Sequence, residues 1–174
     1  TKGGIWKTNN LSAGSGATWT RCVSPPRTQG HAFNINVLKN GDLVVSFSAR
    51  KPTSGTSFTA SSGVFYSTDG GASWSDRTDA AMKYYTKGVV IDANDTTGST
   101  WYACTFQAWG SGVSGNLPGL FKTTNKGLNW THILSNSHVN SCTINPSNPN
   151  EMYVGTEADG LLYSNNINSG SPAF

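Results

Sequence analysis

Charge is scarce in this 174-residue chain: lysine, arginine, aspartate and glutamate make up 12%, and only two glutamates occur. About 25% is usual, and a chain this poor in Glu, Lys and Arg has little from which to build helices. The net charge is +3 and no run of basic residues appears, which argues against a nucleic-acid partner. No segment approaches the about 20 consecutive apolar residues that a bilayer requires, so no membrane span is expected. No signal peptide opens the chain, which is therefore expected to begin as mature sequence.

Cysteine is nearly absent as well. Cys22, Cys104 and Cys142 are three in number and show no CxxC spacing, so neither a zinc site nor a disulfide framework is indicated. They read as small buried residues, with Cys104 and Cys142 as the one pair placed to form a bridge. Asp92-Ala93-Asn94-Asp95 is the only Asp-rich loop, and a turn explains it better than a calcium cage. No metal and no cofactor is expected.

What the chain has instead is Ser, Thr, Asn and Gly, together 79 residues, and 19 aromatics divided among seven Phe, six Trp and six Tyr. That aromatic content can bury a substantial core despite the polar bias, so disorder is excluded. The aromatics also carry a repeat. Ser67-Thr68-Asp69-Gly70-Gly71-Ala72-Ser73-Trp74 is echoed by Thr123-Thr124-Asn125-Lys126-Gly127-Leu128-Asn129-Trp130. Two looser copies run from Asn10 to Trp19 and from Asn166 to Phe174, each after an insertion. The closing aromatics Trp19, Trp74, Trp130 and Phe174 lie 55, 56 and 44 residues apart. A period of roughly 40 to 50 residues with an aromatic per unit marks a propeller blade.

Each copy follows a short apolar strand opened by glycine, as in Gly63-Val64-Phe65-Tyr66 and Gly119-Leu120-Phe121. The Asp or Asn accepts bonds from turn amides, glycine supplies positive φ, and the aromatic folds back over the turn, where its ring is expected to be largely buried. Ser67, Asp69, Gly71 and Trp74, Thr123, Asn125, Gly127 and Trp130, and Asn10, Trp19, Asn166 and Phe174 are accordingly structural residues. On these residues the chain resembles the Asp-box (BNR) propellers, which include sialidases, sortilin-like receptors, xyloglucan-cleaving glycosidases and many secreted bacterial proteins. The resemblance implies an all-β propeller of four-stranded antiparallel blades, secreted or at the cell surface and bacterial. In that family the box marks the fold and not the activity.

The strand pattern divides the chain into an outer half-blade at 1–23, blades at 31–78 and 86–133, and an incomplete blade at 138–174. That is about three and a half blades, whereas closed rings carry typically four to eight. The chain is therefore expected to be part of a larger ring of seven or eight blades, with the remaining blades as its partner.

Blade geometry places the boxes on one face of the ring. The long Gly- and Ser-rich loops 50–62 and 107–118 then fall on the other, and excess loop length is more often functional. Trp109, Gln107, Phe58, Arg50, Tyr85, His31 and His138 are the candidate ligand-binding residues there. Aromatic faces beside planar hydrogen-bonding groups suit sugar rings, so a polysaccharide or a protein is the expected ligand. No catalytic residue is assigned: a glycosidase needs two carboxylates about the bond, and this face offers only Asp79, Glu157 and Asp159. The expected function is a binding or structural module; the alternative is a piece of a xyloglucanase-like hydrolase whose catalytic carboxylates lie outside this segment.

Overall fold

The structure is a computed structural model that describes residues 3–28, 31–48, 59–108, 110 and 112–174. Its regular structure is almost entirely antiparallel sheet. Strands β1 (Trp6–Lys7) and β2 (Thr20–Arg21) form a two-stranded ribbon. Next come β3 (His31–Val37), β4 (Leu43–Ser48), β5 (Gly63–Ser67) and β6 (Ser75–Asp76), a four-stranded meander in sequence order. A second meander contains β7 (Thr86–Ile91), β8 (Trp101–Thr105), β9 (Gly119–Thr123) and β10 (Thr131–Ser135). The last sheet has three strands, β11 (Val139–Asn145), β12 (Asn148–Thr156) and β13 (Leu161–Ser164). The all-β fold of antiparallel blades expected from the sequence is the fold observed.

Two apolar seams hold the sheets together. Val44, Val64, Tyr66, Met82, Val89, Trp101 and Phe121 fill the seam between the two meanders. Tyr102, Cys104, Leu120, Val139, Met152, Val154 and Ile167 fill the next. Both faces of β8 are therefore buried, which is why Trp101-Tyr102-Ala103-Cys104 carries no alternation of apolar and polar residues. Cys104 and Cys142 meet across the second seam as thiols with their Sγ atoms 3.8 Å apart. Burial and the contact with Cys104 push the Cys142 thiol up from its ordinary pKa.

The two outward faces of the stack are unfinished. In β3, Ile35 and Val37 lie in register with Val45 and Leu43, on the side where Ile5 and Cys22 of the ribbon cover Val45, Phe47 and Phe65. The ribbon covers the Ala32 end of β3 and leaves the other end bare, with Val37 70% exposed. At the far end Tyr153 pairs with Thr143 on one side and with Tyr163 on the other, and Leu161 lies 71% exposed. Apolar residues left bare on both ends of a sheet stack fit a sector of a larger ring.

The two eight-residue hairpins share one hydrogen-bond scheme, and the two looser copies keep part of it. Ser67 donates to Asp69 and accepts from the Gly71 N–H (2.8 and 2.9 Å), while the Ser73 N–H closes on Asp69 (2.9 Å). Thr123, Asn125, Gly127 and Asn129 repeat every one of these contacts. In the looser copies the closing donors are the Thr18 N–H to Asn10 (3.0 Å) and the Ala173 N–H to Asn166 (2.9 Å). The insertions are accommodated because the motif is set by its two ends, the hydroxyl–amide pair and the residue just before the aromatic.

The closing tryptophans tie neighbouring blades. Trp74 donates its indole N–H to the Val23 carbonyl (2.9 Å) and Trp130 to the Arg77 carbonyl (2.7 Å), each just beyond the outermost strand of the preceding unit. The sequence reading expected these rings to be buried. They are half-buried, and Trp19 is 53% exposed. The reason is that the ring lies across the edge of the preceding blade rather than inside a core, and Trp19 has no such edge beneath it among the described residues.

Candidate functional site

The strand order sorts the connections onto two faces. The hairpins just described share a face with the turns 38–42, 92–100 and 146–147. The described ends of the links 22–30, 77–85 and 136–138 and of the loops 49–62, 106–118 and 157–160 lie on the other. Of the candidate ligand residues on that second face, Trp109, Phe58 and Arg50 lie outside the described residues. His31, Tyr85, Gln107 and His138 are described.

Tyr85 and His138 are brought together through a residue the sequence reading left out. The Phe106 ring, buried at the end of β8, sits 5.1 Å from the Tyr85 ring and 5.0 Å from the His138 ring, the latter nearly parallel at 26°. His138 Nδ1 lies 2.9 Å from a Glu157 carboxylate oxygen, and the Glu157 N–H donates to the His138 carbonyl (2.9 Å). Glu157 thus belongs to the candidate site as the partner that orients the imidazole, whereas the sequence reading counted it only among the carboxylates of this face. Burial raises the Tyr85 pKa and the Glu157 charge adds to it, which keeps the phenol protonated across the physiological range. Gln107 follows Phe106 and is exposed. His31 opens β3 opposite Ser48 and is exposed, without contact to the Phe106 cluster.

The loop bearing Gln107 is anchored at its described ends. The Asn116 amide donates to the Phe106 carbonyl (2.5 Å) and accepts from the Tyr84 N–H (3.3 Å). Thr105 Oγ1 donates to the Leu117 carbonyl (2.7 Å), and the Leu117 N–H reaches the Ala81 carbonyl (3.1 Å). Both described ends of the loop are thus tied to neighbouring backbone.

Three β-bulges complete the picture. β3, β7 and β11 each break register at the same point relative to their blades, between Ala32 and Asn34, between Thr86 and Gly88, and between Val139 and Ser141. The extra residues are Phe33, Lys87 and Asn140. A bulge re-aims a side chain and occurs often beside active sites. The Phe33 ring is 52% exposed, and Lys87 Nζ lies 5.3 Å from its centroid and 5.0 Å from that of Phe106. Phe33 was not among the candidate residues read from the sequence.

The remaining carboxylates of this face are engaged or isolated. Asp79 caps the short 3-10 helix Ala80–Met82 by accepting the Ala81 N–H (2.9 Å). Asp159 is exposed in the β12–β13 turn. The described residues contain no group of three or more His, Cys, Asp or Glu placed to hold a metal ion.

On the opposite face a cavity of about 320 Å³ opens between the turns after β3 and β7, lined by Leu38, Lys39, Ile91, Asp92, Asp95 and Thr97 among others. Its carboxylates are already used. Asp95 accepts from Thr97, Ser99 and Thr100 (2.8–3.1 Å) and Asp92 from Asn94 (2.9 Å), so the Asp92–Asp95 segment is a bonded turn.

Three solved structures share the fold. A GH74 enzyme from Niastella koreensis superposes with a TM-score of 0.65 at 21% identity, covering 89% of this chain and 24% of its own. The GH74 xyloglucanase from Xanthomonas campestris gives 0.63 at 15% identity over 86% of this chain and 22% of its own. An ancestral GH74 enzyme gives 0.63 at 20% identity over 94% and 20%. The chain therefore has the architecture of a sector of the propellers in these enzymes and spans about a quarter of their length or less. No protein-family profile matches the chain, and no curated protein does. No helix among the described residues is long and apolar enough to cross a membrane.

Proposed function

We propose that this chain is a sector of a secreted or cell-surface bacterial Asp-box propeller whose role is to bind a polysaccharide on the face opposite the boxes. The observation that carries this reading is the cluster of Phe106, Tyr85, His138 and Glu157 at the mouth of the stack. It combines ring faces with a paired imidazole and carboxylate, the chemistry that sugar C–H faces and hydroxyls require. Gln107, exposed on the loop that starts at this cluster, extends the surface. Retention of the protein in gels containing soluble polysaccharides tests the reading. Tyr85→Ala and Trp109→Ala should each weaken retention with the fold intact, whereas Asp69→Asn should leave it unchanged. Retention by none of a broad panel of polysaccharides would leave a structural module.

A second reading is favoured by the three GH74 structures: the sector belongs to a xyloglucanase-like hydrolase that places its catalytic carboxylates on other blades. In this sector Glu157 is held by His138 and Asp79 by a turn, which supports a substrate-holding role. Glu157→Gln should then raise KM for xyloglucan and leave kcat close to its original value. A collapse of kcat at unchanged KM would put catalysis in this sector and overturn the assignment.

A further inference from the structure

We propose that the three bulge residues form a subsite for an acidic sugar, with Lys87 pairing the carboxylate of a uronate unit, Phe33 stacking on its ring and Asn140 bonding its hydroxyls. The inference rests on the polysaccharide-binding reading and names the class of sugar that the mouth would take. Its basis is that these three groups are unspent in a chain that spends its polar side chains freely. Asn34 and Asn36 donate to the Val89 carbonyl (2.6 and 3.1 Å), and Asn94 reaches across to the Asn145 carbonyl (3.5 Å). Lys122 caps the Ile167 carbonyl and Asn168 (3.1 and 2.8 Å), and Lys7 the Gly70 carbonyl (2.8 Å).

Lys87 differs. Among the described residues its ammonium has two ring faces beside it, Phe33 and Phe106, and no carboxylate, carbonyl or amide oxygen within hydrogen-bond range. Asn140, at the equivalent bulge of the next blade, is half-buried with no side-chain hydrogen bond among the described residues. Rings hold an ammonium in place without using its N–H donors, so Lys87 is positioned yet still able to bind an anion. The nearest carboxylate of the cluster, Glu157, is bonded to His138. An exposed ring, a fixed ammonium and an amide in three neighbouring blades match the apolar face, carboxylate and hydroxyls of a uronate. A neutral sugar would leave the ammonium unpaired.

The test compares binding of polygalacturonate and of xyloglucan to the protein and to Lys87→Met and Lys87→Arg, with the melting temperature of each recorded. Lys87→Met keeps the apolar stem against the rings. The expected result is preference for polygalacturonate, a loss of about five- to tenfold for that polymer alone in Lys87→Met, and recovery in Lys87→Arg. Raising salt to about 0.5 M should reduce the preference, as screening requires. Equal binding of both polymers, or equal losses for both in Lys87→Met, would overturn the acidic subsite while leaving the polysaccharide-binding reading standing. Binding of neither would remove both.

Discussion

Replacing Gly119 by alanine should be among the most damaging single-methyl changes this fold can suffer, and Gly160 supplies the control. Both glycines open or precede the third strand of a blade and both have positive φ, +143° and +77°. A Cβ at Gly119 would lie 1.9 Å from the Leu134 carbonyl oxygen and 2.4 Å from His132 Nε2, on the outermost strand β10. At Gly160 it would meet nothing within 4 Å, because β13 has no fourth strand beside it among the described residues. The strained backbone costs of the order of 1–3 kcal/mol, and forcing β10 away adds about 1–3 kcal/mol for the overpacking. The displacement also breaks up the parallel stack of His132 on Phe121, whose centroids lie 4.3 Å apart. Gly119→Ala should therefore cost about 3–5 kcal/mol and Gly160→Ala about 1 kcal/mol. Chemical denaturation of the two variants gives the difference directly, and in a chain of this size each kcal/mol moves Tm by about 2–4 °C. If the two lose equal stability, the close approach of the outermost strand is not what requires glycine.

Tyr102 is fully buried and its hydroxyl has no hydrogen-bond partner among the described residues; Tyr102→Phe should leave stability unchanged or raise it by up to about 1 kcal/mol, and a loss beyond that in urea unfolding would reveal a partner for the hydroxyl. Asp69 has its pKa held far below the ordinary carboxylate value by the Ser73 hydroxyl and amide and by Ser67. A folded-state pKa below the unfolded value stabilises the protein above the unfolded value of about 4, and the effect is lost as pH falls below it. Asp69→Asn should accordingly flatten the acid limb of a stability-against-pH curve, since Asn125 makes the same contacts without a charge; an unchanged limb would exclude Asp69 from acid unfolding.

The repeat was legible because its chemistry is local. A hydroxyl, an Asp or Asn two residues on and an aromatic ending the turn define a hairpin that closes within itself, and the sequence around Asp69 and Asn125 states that almost completely. The glycine opening each third strand was legible as a type but not as a cause: only the structure shows Thr78 and Leu134 lying where a Cβ would go at Gly63 and Gly119. Burial of the closing tryptophans was misjudged for the same kind of reason. Whether an indole enters a core or lies across an edge depends on the preceding blade, more than 50 residues away in sequence for both Trp74 and Trp130.

The mouth cluster was half legible, and the missing half follows a rule that applies to any blade repeat. Aligning the inner strands by sequence brings His31, Tyr85 and His138 to equivalent positions, yet only two of them meet, because Phe106 arrives between them from the end of a different strand. Phe33, Lys87 and Asn140 were hidden because a bulge leaves no composition signal; it is a register shift between two strands, and neither strand alone contains it. The repeat that dictates the fold acts through residues within one hairpin. The residues proposed to choose the ligand act between blades, at positions where each blade carries a different side chain on the same backbone irregularity. Substitutions at the hairpins should therefore move stability and leave ligand choice alone, and substitutions at the bulges should do the reverse.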